Sequence, residues 1–425
     1  MPGDWVEGGA RVGDADEPRA QFGLFGTGPE YTVGVEEEFM LVDPETLALV
    51  PSGPSLLTTT SDPEHIKAEI RQCMVEISSA PCSTTGELYR DLRDLRFQVQ
   101  QAATARGCSV AGGGVHAFSA PEAQPVTDTQ RYRDVIVESG YPGRWSLVLG
   151  THVHVALASA DKALGVTEAL LDDLPTLVAL SASSPVWCGV DTGMASMRLA
   201  LWASVPRSGL PPRFSAFADY LHCLDVLHQS GAVPDASHVW WDVRSQQRLG
   251  TVEVRVMDGQ PCLRDTVALA GLVQCLVHRD GRAWDAGESA APERFLVAEN
   301  RWQAIWKGMD ATFARADGTT VTARDAVEQL LDRVAEDAAE LGTGWALDHV
   351  SALADHGGPA AWERATFAQS GDPIALMRDR VARTRLDGDE PADLPVVLGR
   401  GRDVGTGGSA RTVDLTAESP IIPAV

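Results

Sequence analysis

Between Tyr31 and Val42 apolar and charged residues alternate: Val35 and Phe39 fall on one parity, Glu36 and Glu38 on the other. Successive side chains of a strand point to opposite faces, so the segment 31–42 is predicted as a strand with a buried face and a carboxylate face. The stretch Gly250-Thr251-Val252-Glu253-Val254-Arg255-Val256 repeats the pattern, with Glu253 and Arg255 opposite three valines. Strands are predicted over 31–42, 74–78, 108–112, 146–157 and 250–257. Helical spacing fills the intervals. Thr84-Thr85-Gly86-Glu87 is a capping box opening a helix striped by Leu88, Leu92, Leu95 and Val99 and stopped near Gly107. A second helix is predicted from Val166 to Leu180, broken or begun anew at Pro175. A third is capped by Asp265, and a fourth carries Val327, Leu330, Leu331, Val334 and Ala338 on one stripe. Residues 1–28 and 394–425 lack periodicity and are expected to be a disordered arm and tail around one domain, 29–393. No repeat is visible. The pattern predicts an α+β fold in which carboxylate-bearing strands line a concave sheet backed by helices.

Composition narrows the partners. At 425 residues the chain can bury a large core. A net charge of −24 disfavours nucleic acid, whose phosphates would be repelled. Only Lys67, Lys162 and Lys307 are lysines, so 35 − 3 = 32 basic residues are arginine, and anion contacts fall to guanidinium groups. No Gly-Lys-Ser/Thr triplet occurs, which excludes a P-loop. Seven scattered cysteines without a Cys-x-x-Cys pair read as free thiols. No apolar run approaches membrane-spanning length and no secretory pattern opens the chain; a cytoplasmic location without membrane partners is expected.

Carboxylates gathered on one sheet face need a cation. Two of them about 4 Å apart repel by roughly 4 kcal/mol at an effective dielectric near 20. Divalent metal is the common remedy, and nucleotide phosphate the common companion of such a metal. Glu76, in Met74-Val75-Glu76-Ile77, is a further acid within an apolar strand, with Glu69 seven residues earlier. Gly150-Thr151-His152-Val153-His154 puts two histidines on one strand face, as a satisfied pair, a zinc site, or one ligand in an oxygen-rich Mg²⁺ or Mn²⁺ site. Gly112-Gly113-Gly114 ends a strand and leaves room for close backbone approach. Arg198 and Arg244 are candidate anion clamps or structural ion pairs.

Six ordered segments carry a family likeness: Thr32 to Asp43 (TVGVEEEFMLVD), Gly112 to Phe118 (GGGVHAF), Gly150 to Ala156 (GTHVHVA), Leu180 to Arg198, Trp241 to Arg244 with Gly250 to Asp258 (GTVEVRVMD), and Asn300 to Ala304. Over residues 31–385 the chain resembles the carboxylate–amine ligase family of the second glutamate–cysteine ligase type, in its YbdK-like branch. The resemblance implies a glutamine-synthetase-like saddle of antiparallel strands, helices on its convex face, and ATP with Mg²⁺ or Mn²⁺ on its concave face. It implies metal ligation by Glu36, Glu38, Glu69, Glu76, His152 and Glu253, with Glu253, Arg255 and Glu38 at the chemistry. Arg255, Gly113 and Gly114 are expected at the nucleotide, and Arg198, Arg244 and His116 at the substrate. Small-molecule acids and amines are the expected partners, in a homo-oligomer, a dimer. The chain departs from the family at Val115 and Ala117 in Gly-Thr-His-Pro-Phe, at Ala156, and at Trp306-Lys307 where relatives carry an arginine–tyrosine pair.

The resulting reading is an ATP-dependent ligase that phosphorylates a glutamate-like acid and joins it to an amine. Its rivals are a kinase of the same fold group that stops at phosphoryl transfer, and a non-catalytic homologue that kept the site.

Overall fold

Seven strands form one antiparallel sheet: β1 (Val33–Val42), β2 (Ile66–Ala68), β3 (Met74–Ser78), β4 (Ser109–Ala111), β5 (Gly150–Ala156), β6 (Val243–Gln246) and β7 (Thr251–Asp258). Their order is β6-β7-β5-β1-β3-β2, with β4 paired to the end of β1. The computed structural model describes residues 23–386 apart from Ser61, Ser146 and Ala290. The expected strands are all present, within a few residues of their predicted ends. The expectation missed β2 and β6, because three or four residues are too few to show alternation.

One sheet face is apolar. Val35, Phe39 and Leu41 of β1 join Val75 and Ile77 of β3, Val153 and Val155 of β5, and Val252, Val254 and Val256 of β7 in the main core. Helices Thr85–Thr104, Leu174–Ser181 and Leu263–Ala286 add Leu88, Leu92, Leu95, Leu177, Val178, Leu269, Leu272 and Val273 to the same core. Helices therefore cover this face; on the other, Met40, Val42 and Met74 at one end pack with Leu376, Met377 and Val381 of the helix Pro373–Thr384, and the remainder is left to chemistry. Within the apolar face lies Glu37, which period-2 alternation puts beside Val35 and Phe39. Arg96 meets it from the Thr85–Thr104 helix through Nε (2.9 Å) and Nη2 (2.5 Å), and Thr266 Oγ1 donates to it at 2.6 Å. A buried carboxylate survives there because it is paired and fully hydrogen-bonded.

Helix ends follow local chemistry with two corrections. Thr84 caps its helix by accepting from Glu87 N, and Glu87 Oε2 reaches back to Ser83 N. The stretch 166–180 begins anew at Pro175 as expected, giving Ala160–Ala169 and Leu174–Ser181, since Pro175 can open a helix but not continue one. Cys262, not Asp265, is the N-cap of Leu263–Ala286, and Asp265 instead holds His349 Nε2 at 2.7 Å. The fourth stripe is split at Val334 into Ala323–Arg333 and Ala335–Leu341. The expected loose arm ends earlier than residue 28. Leu24 N donates to Gln247 O, Gly26 N to Leu157 O, and Phe25 packs edge-on against Phe217. Residues 1–22 and the expected tail 394–425 lie outside the described residues. Among the described residues no helix is long and apolar enough to cross a membrane.

Candidate active site

Strand register assembles the site. Glu38 pairs across with Glu76 of β3, Glu36 with His152 of β5, and Glu253 of β7 with His154. Arg244 of β6 is opposite Glu253, and Lys67 of β2 is opposite Glu76. Directly opposed side chains sit about 5 Å apart at Cβ. One row of charged groups therefore crosses the whole sheet on the face opposite the main core. Glu69, which spacing alone left on a helix or a strand, follows directly on β2 and turns back toward Glu38 and Glu76.

Two donor sets result: Glu36, His152 and Glu253, and Glu38, Glu69 and Glu76, each with ligand atoms within 4.8 Å of one another. Their electrostatics differ. In the first, burial would raise Glu36, but the imidazoles of His152 and His154 beside it hold it well below the usual carboxylate range. Burial is likewise outweighed at Glu253, where the Arg244 and Arg255 guanidinium groups hold the carboxyl down. Burial beside Arg255 keeps His152 neutral, lowered to about 4. In the second set the cations at hand, Arg198 beside Glu38 and Lys67 across from Glu76, do not outweigh burial. Burial together with Glu76 pushes Glu38 up to about 7, and burial together with Glu38 pushes Glu69 to about 7. Glu76 is likewise raised well above the usual carboxylate range, by burial, Glu36 and Glu69.

The residues fit divalent cations. His152 Nε2 and His154 Nε2 are buried without a hydrogen-bond partner. Three carboxylates converge in one set, and two carboxylates with one imidazole in the other. Oxygen-rich sets of this kind suit Mg²⁺ or Mn²⁺ better than zinc.

The arginines separate into two kinds. Arg244 is occupied: Nε donates to Glu253 Oε2 at 2.7 Å, Nη2 to Oε1 at 3.3 Å, and Nη1 to Val239 O. That is the structural ion pair rather than the free clamp. Arg255 also pairs with Glu253 but leaves the ladder at a β-bulge between Val254 and Met257, which aims it across the face. Arg198, 5% exposed, donates through Nη2 to Arg255 O at 3.2 Å, while Nε and Nη1 have no partner. Arg198 thus has buried donors open for a ligand, and Arg255 pairs with Glu253 through Nη1.

His116, Gly113 and Gly114 stand apart from this row. His116 Nε2 meets Leu47 O at 2.9 Å, and Nδ1 accepts from Phe118 N and Ser119 N. Burial lowers it to about 3, so it is a neutral, internally bonded histidine with no nitrogen left for substrate. The close approach made possible by the glycines is to the protein itself. A Cβ on Gly113 would lie 2.9 Å from Arg380 Cζ, and one on Gly114 2.7 Å from Asp258 Oδ2. The expected substrate and nucleotide roles of these three are dropped on that ground.

The expected ligand set left out two residues that the geometry brings in. His154, read in the sequence only as one of a histidine pair, completes the Glu36 environment. Asp258 belongs with Arg198, but period-2 alternation puts it on the face opposite Glu253 and Arg255, and only the bulge brings it round to theirs.

Compared with known proteins, the chain is by class an ATP-dependent carbon–nitrogen ligase. It belongs to glutamate–cysteine ligase family 2, whose model matches residues 32–378. Two Rubrobacter xylanophilus proteins provisionally named glutamate–cysteine ligase 2-3 and 2-1 are similar. The first is 38% identical over 352 residues, covering 82% of this chain and 95% of that protein. The second is 36% identical over 358 residues, covering 84% and 95%. In fold the chain is similar to a Francisella tularensis glutamate–cysteine ligase solved with AMP, with TM-score 0.62 and 12% identity over 83% of this chain and 89% of that one. It is also similar to a Pasteurella multocida bifunctional glutathione synthetase, with TM-score 0.64 and 14% identity over 83% and 52%.

Proposed function

We propose that this ligase activates a glutamate-like carboxylic acid as an acyl phosphate and transfers the acyl group to an amine or amino acid. The observation that carries the reading is the row of two cation-ready acid sets with Arg198 and Arg255 beside them on one sheet face. Glu36, His152 and Glu253 would hold one divalent cation and Glu38, Glu69 and Glu76 a second. Bound there, Mg²⁺ or Mn²⁺ would neutralise the phosphates of ATP.

The remaining roles belong to the chain's own arginines. Arg198 presents its open donors to the carboxylate of the acid and aligns it. Arg255, held toward the site by its pairing with Glu253, takes up charge that develops on the transferred phosphoryl group. A carboxylate oxygen attacks the γ-phosphorus and ADP leaves; the amine nitrogen then attacks the acyl carbon and phosphate leaves, giving the amide. Such transfer rests on positioning and electrostatics; the row offers no serine or cysteine nucleophile for covalent acyl transfer, and its lysine, Lys67, is exposed on the edge strand opposite Glu76.

Hydroxylamine tests the intermediate, because an acyl phosphate is trapped by any strong nucleophile. With ATP, Mg²⁺ and a panel of amino acids and dicarboxylic acids, the enzyme is expected to form a hydroxamate and release ADP. Release of AMP and pyrophosphate alongside amide product would refute the acyl-phosphate route. A stable phosphorylated product formed without any amine would point to the kinase instead.

A further inference from the structure

Asp258 ends β7 with its carboxylate buried, 1% exposed, and encircled by one loop. Oδ1 accepts from Ser196 Oγ at 2.8 Å; Oδ2 accepts from Ser183 N at 2.9 Å and from Ser184 Oγ at 2.6 Å. Both hydroxyls lead to Arg198. Ser184 Oγ accepts from the Arg198 backbone N at 3.1 Å. Ser196 is the N-cap of the Met197–Trp202 helix, accepting from Leu199 N at 3.2 Å. The backbone of Arg198 is therefore tied to Asp258 on both sides.

The guanidinium is handled differently. Arg198 Nη1 stands 4.0 Å from Asp258 Oδ1, close enough for charge to be balanced and too far for a hydrogen bond. Nε and Nη1 thus remain buried and without a partner. Unmade hydrogen bonds on a buried cation are expensive, and a fold retains them where a ligand completes the set. Space for the group comes from Gly150: a Cβ there would lie 2.2 Å from Arg198 Nη2 and 2.7 Å from His152 Nε2. Gly150 N meanwhile donates to Glu38 Oε2 at 2.6 Å, which puts this cradle beside the second acid set.

We infer that Asp258 is a positioning residue that fixes Arg198 through Ser184 and Ser196, so that the guanidinium meets a ligand oxyanion with open donors. The inference rests on the proposed meeting of Arg198 with the acid substrate, but the oxyanion chemistry is common to a carboxylate and a phosphate. Arg244 supplies the contrast. Its carboxylate partner, Glu253, is in direct contact, and nothing remains open.

The test is Asp258→Asn, which keeps shape and an acceptor for Ser183 N while removing the charge. KM for L-glutamate and for ATP are measured separately in the hydroxamate assay, and a crystal structure of the variant locates Arg198. Expected are a rise of roughly 10-fold in the KM for glutamate, little change in kcat or in the KM for ATP, and a displaced guanidinium. The double variant Arg198→Ala/Asp258→Asn is expected to be no worse than Arg198→Ala alone, since one residue acts through the other. Ser196→Ala, which keeps the charge and cuts one tie, is expected to shift the KM the same way by less, and it serves if Asp258→Asn does not fold. A rise only in the KM for ATP would keep Asp258 in its role and refute the assignment of Arg198 to the acid. Additive effects in the double variant, or an unmoved Arg198 in the crystal, would overturn the inference, and the crystal decides it even if glutamate is not the acid used.

Discussion

Cation binding and pH are expected to be linked through the second acid set, with a sign that the structure fixes. Glu38 and Glu69 are pushed up to about 7 by burial and by Glu76's or Glu38's charge, and Glu76 is raised well above the usual carboxylate range as well. A carboxyl whose folded value is raised stays protonated in the folded chain after the unfolded chain has lost its proton. Its stabilising contribution is thus complete at low pH and is lost as pH rises through about 7. At about 1.4 kcal/mol per pH unit and proton, each of the two removes about 3 kcal/mol between its ordinary value and 7. Together they remove less than twice that, because their mutual repulsion counts once. A divalent cation needs the ionised forms and reverses the trend. Stabilisation by Mg²⁺ should therefore grow between pH 5 and 7, by up to about 4 kcal/mol per pH unit while the three carboxyl protons are displaced. The assay is urea unfolding followed by circular dichroism at several pH values, with EDTA and with saturating Mg²⁺. His116 is buried neutral and acts in the opposite sense on the acid side, but it is common to both conditions and cancels in the difference. A Mg²⁺ effect that is independent of pH, or largest at pH 5, would refute the argument.

Other outcomes follow from the same geometry. Glu253→Gln removes a carboxylate that both ligates in the proposed site and balances Arg244 and Arg255; ADP release under saturating Mg²⁺ should fall on the order of 100-fold, and normal turnover by the folded variant would show the assignment to be wrong. Arg96→Met strands Glu37 in the apolar face and removes donors to Gln260 O and Pro261 O; urea unfolding should show a loss of about 3–5 kcal/mol, and a loss under 1 kcal/mol would mean that the pair is dispensable. EDTA should abolish activity, and Mg²⁺ or Mn²⁺ but not zinc should restore it; stoichiometric zinc in the active protein would instead favour a site built on His152 and His154.

Alternation alone determined much of this protein. Period 2 in 31–42 and 250–257 gave two strands, their buried valines, and the face bearing Glu36, Glu38 and Glu253, because a strand's side-chain direction is a local property. Capping chemistry at Thr84 and the apolar stripes gave the helices for the same reason. What the sequence could not supply were facts that depend on register and on long-range contact. The division of six donors into two sets follows from Glu38 opposing Glu76 and Glu36 opposing His152. Glu37 is structural because Arg96, 59 residues away, reaches it inside the core. Arg198 and Arg244 are the same residue type in similar surroundings along the chain. Only the tertiary structure binds one to Glu253 in direct contact and holds the other 4.0 Å from Asp258 with its donors open. Pairing of charges is decided by which strands and loops meet, and nothing in the local pattern of the chain encodes that distance.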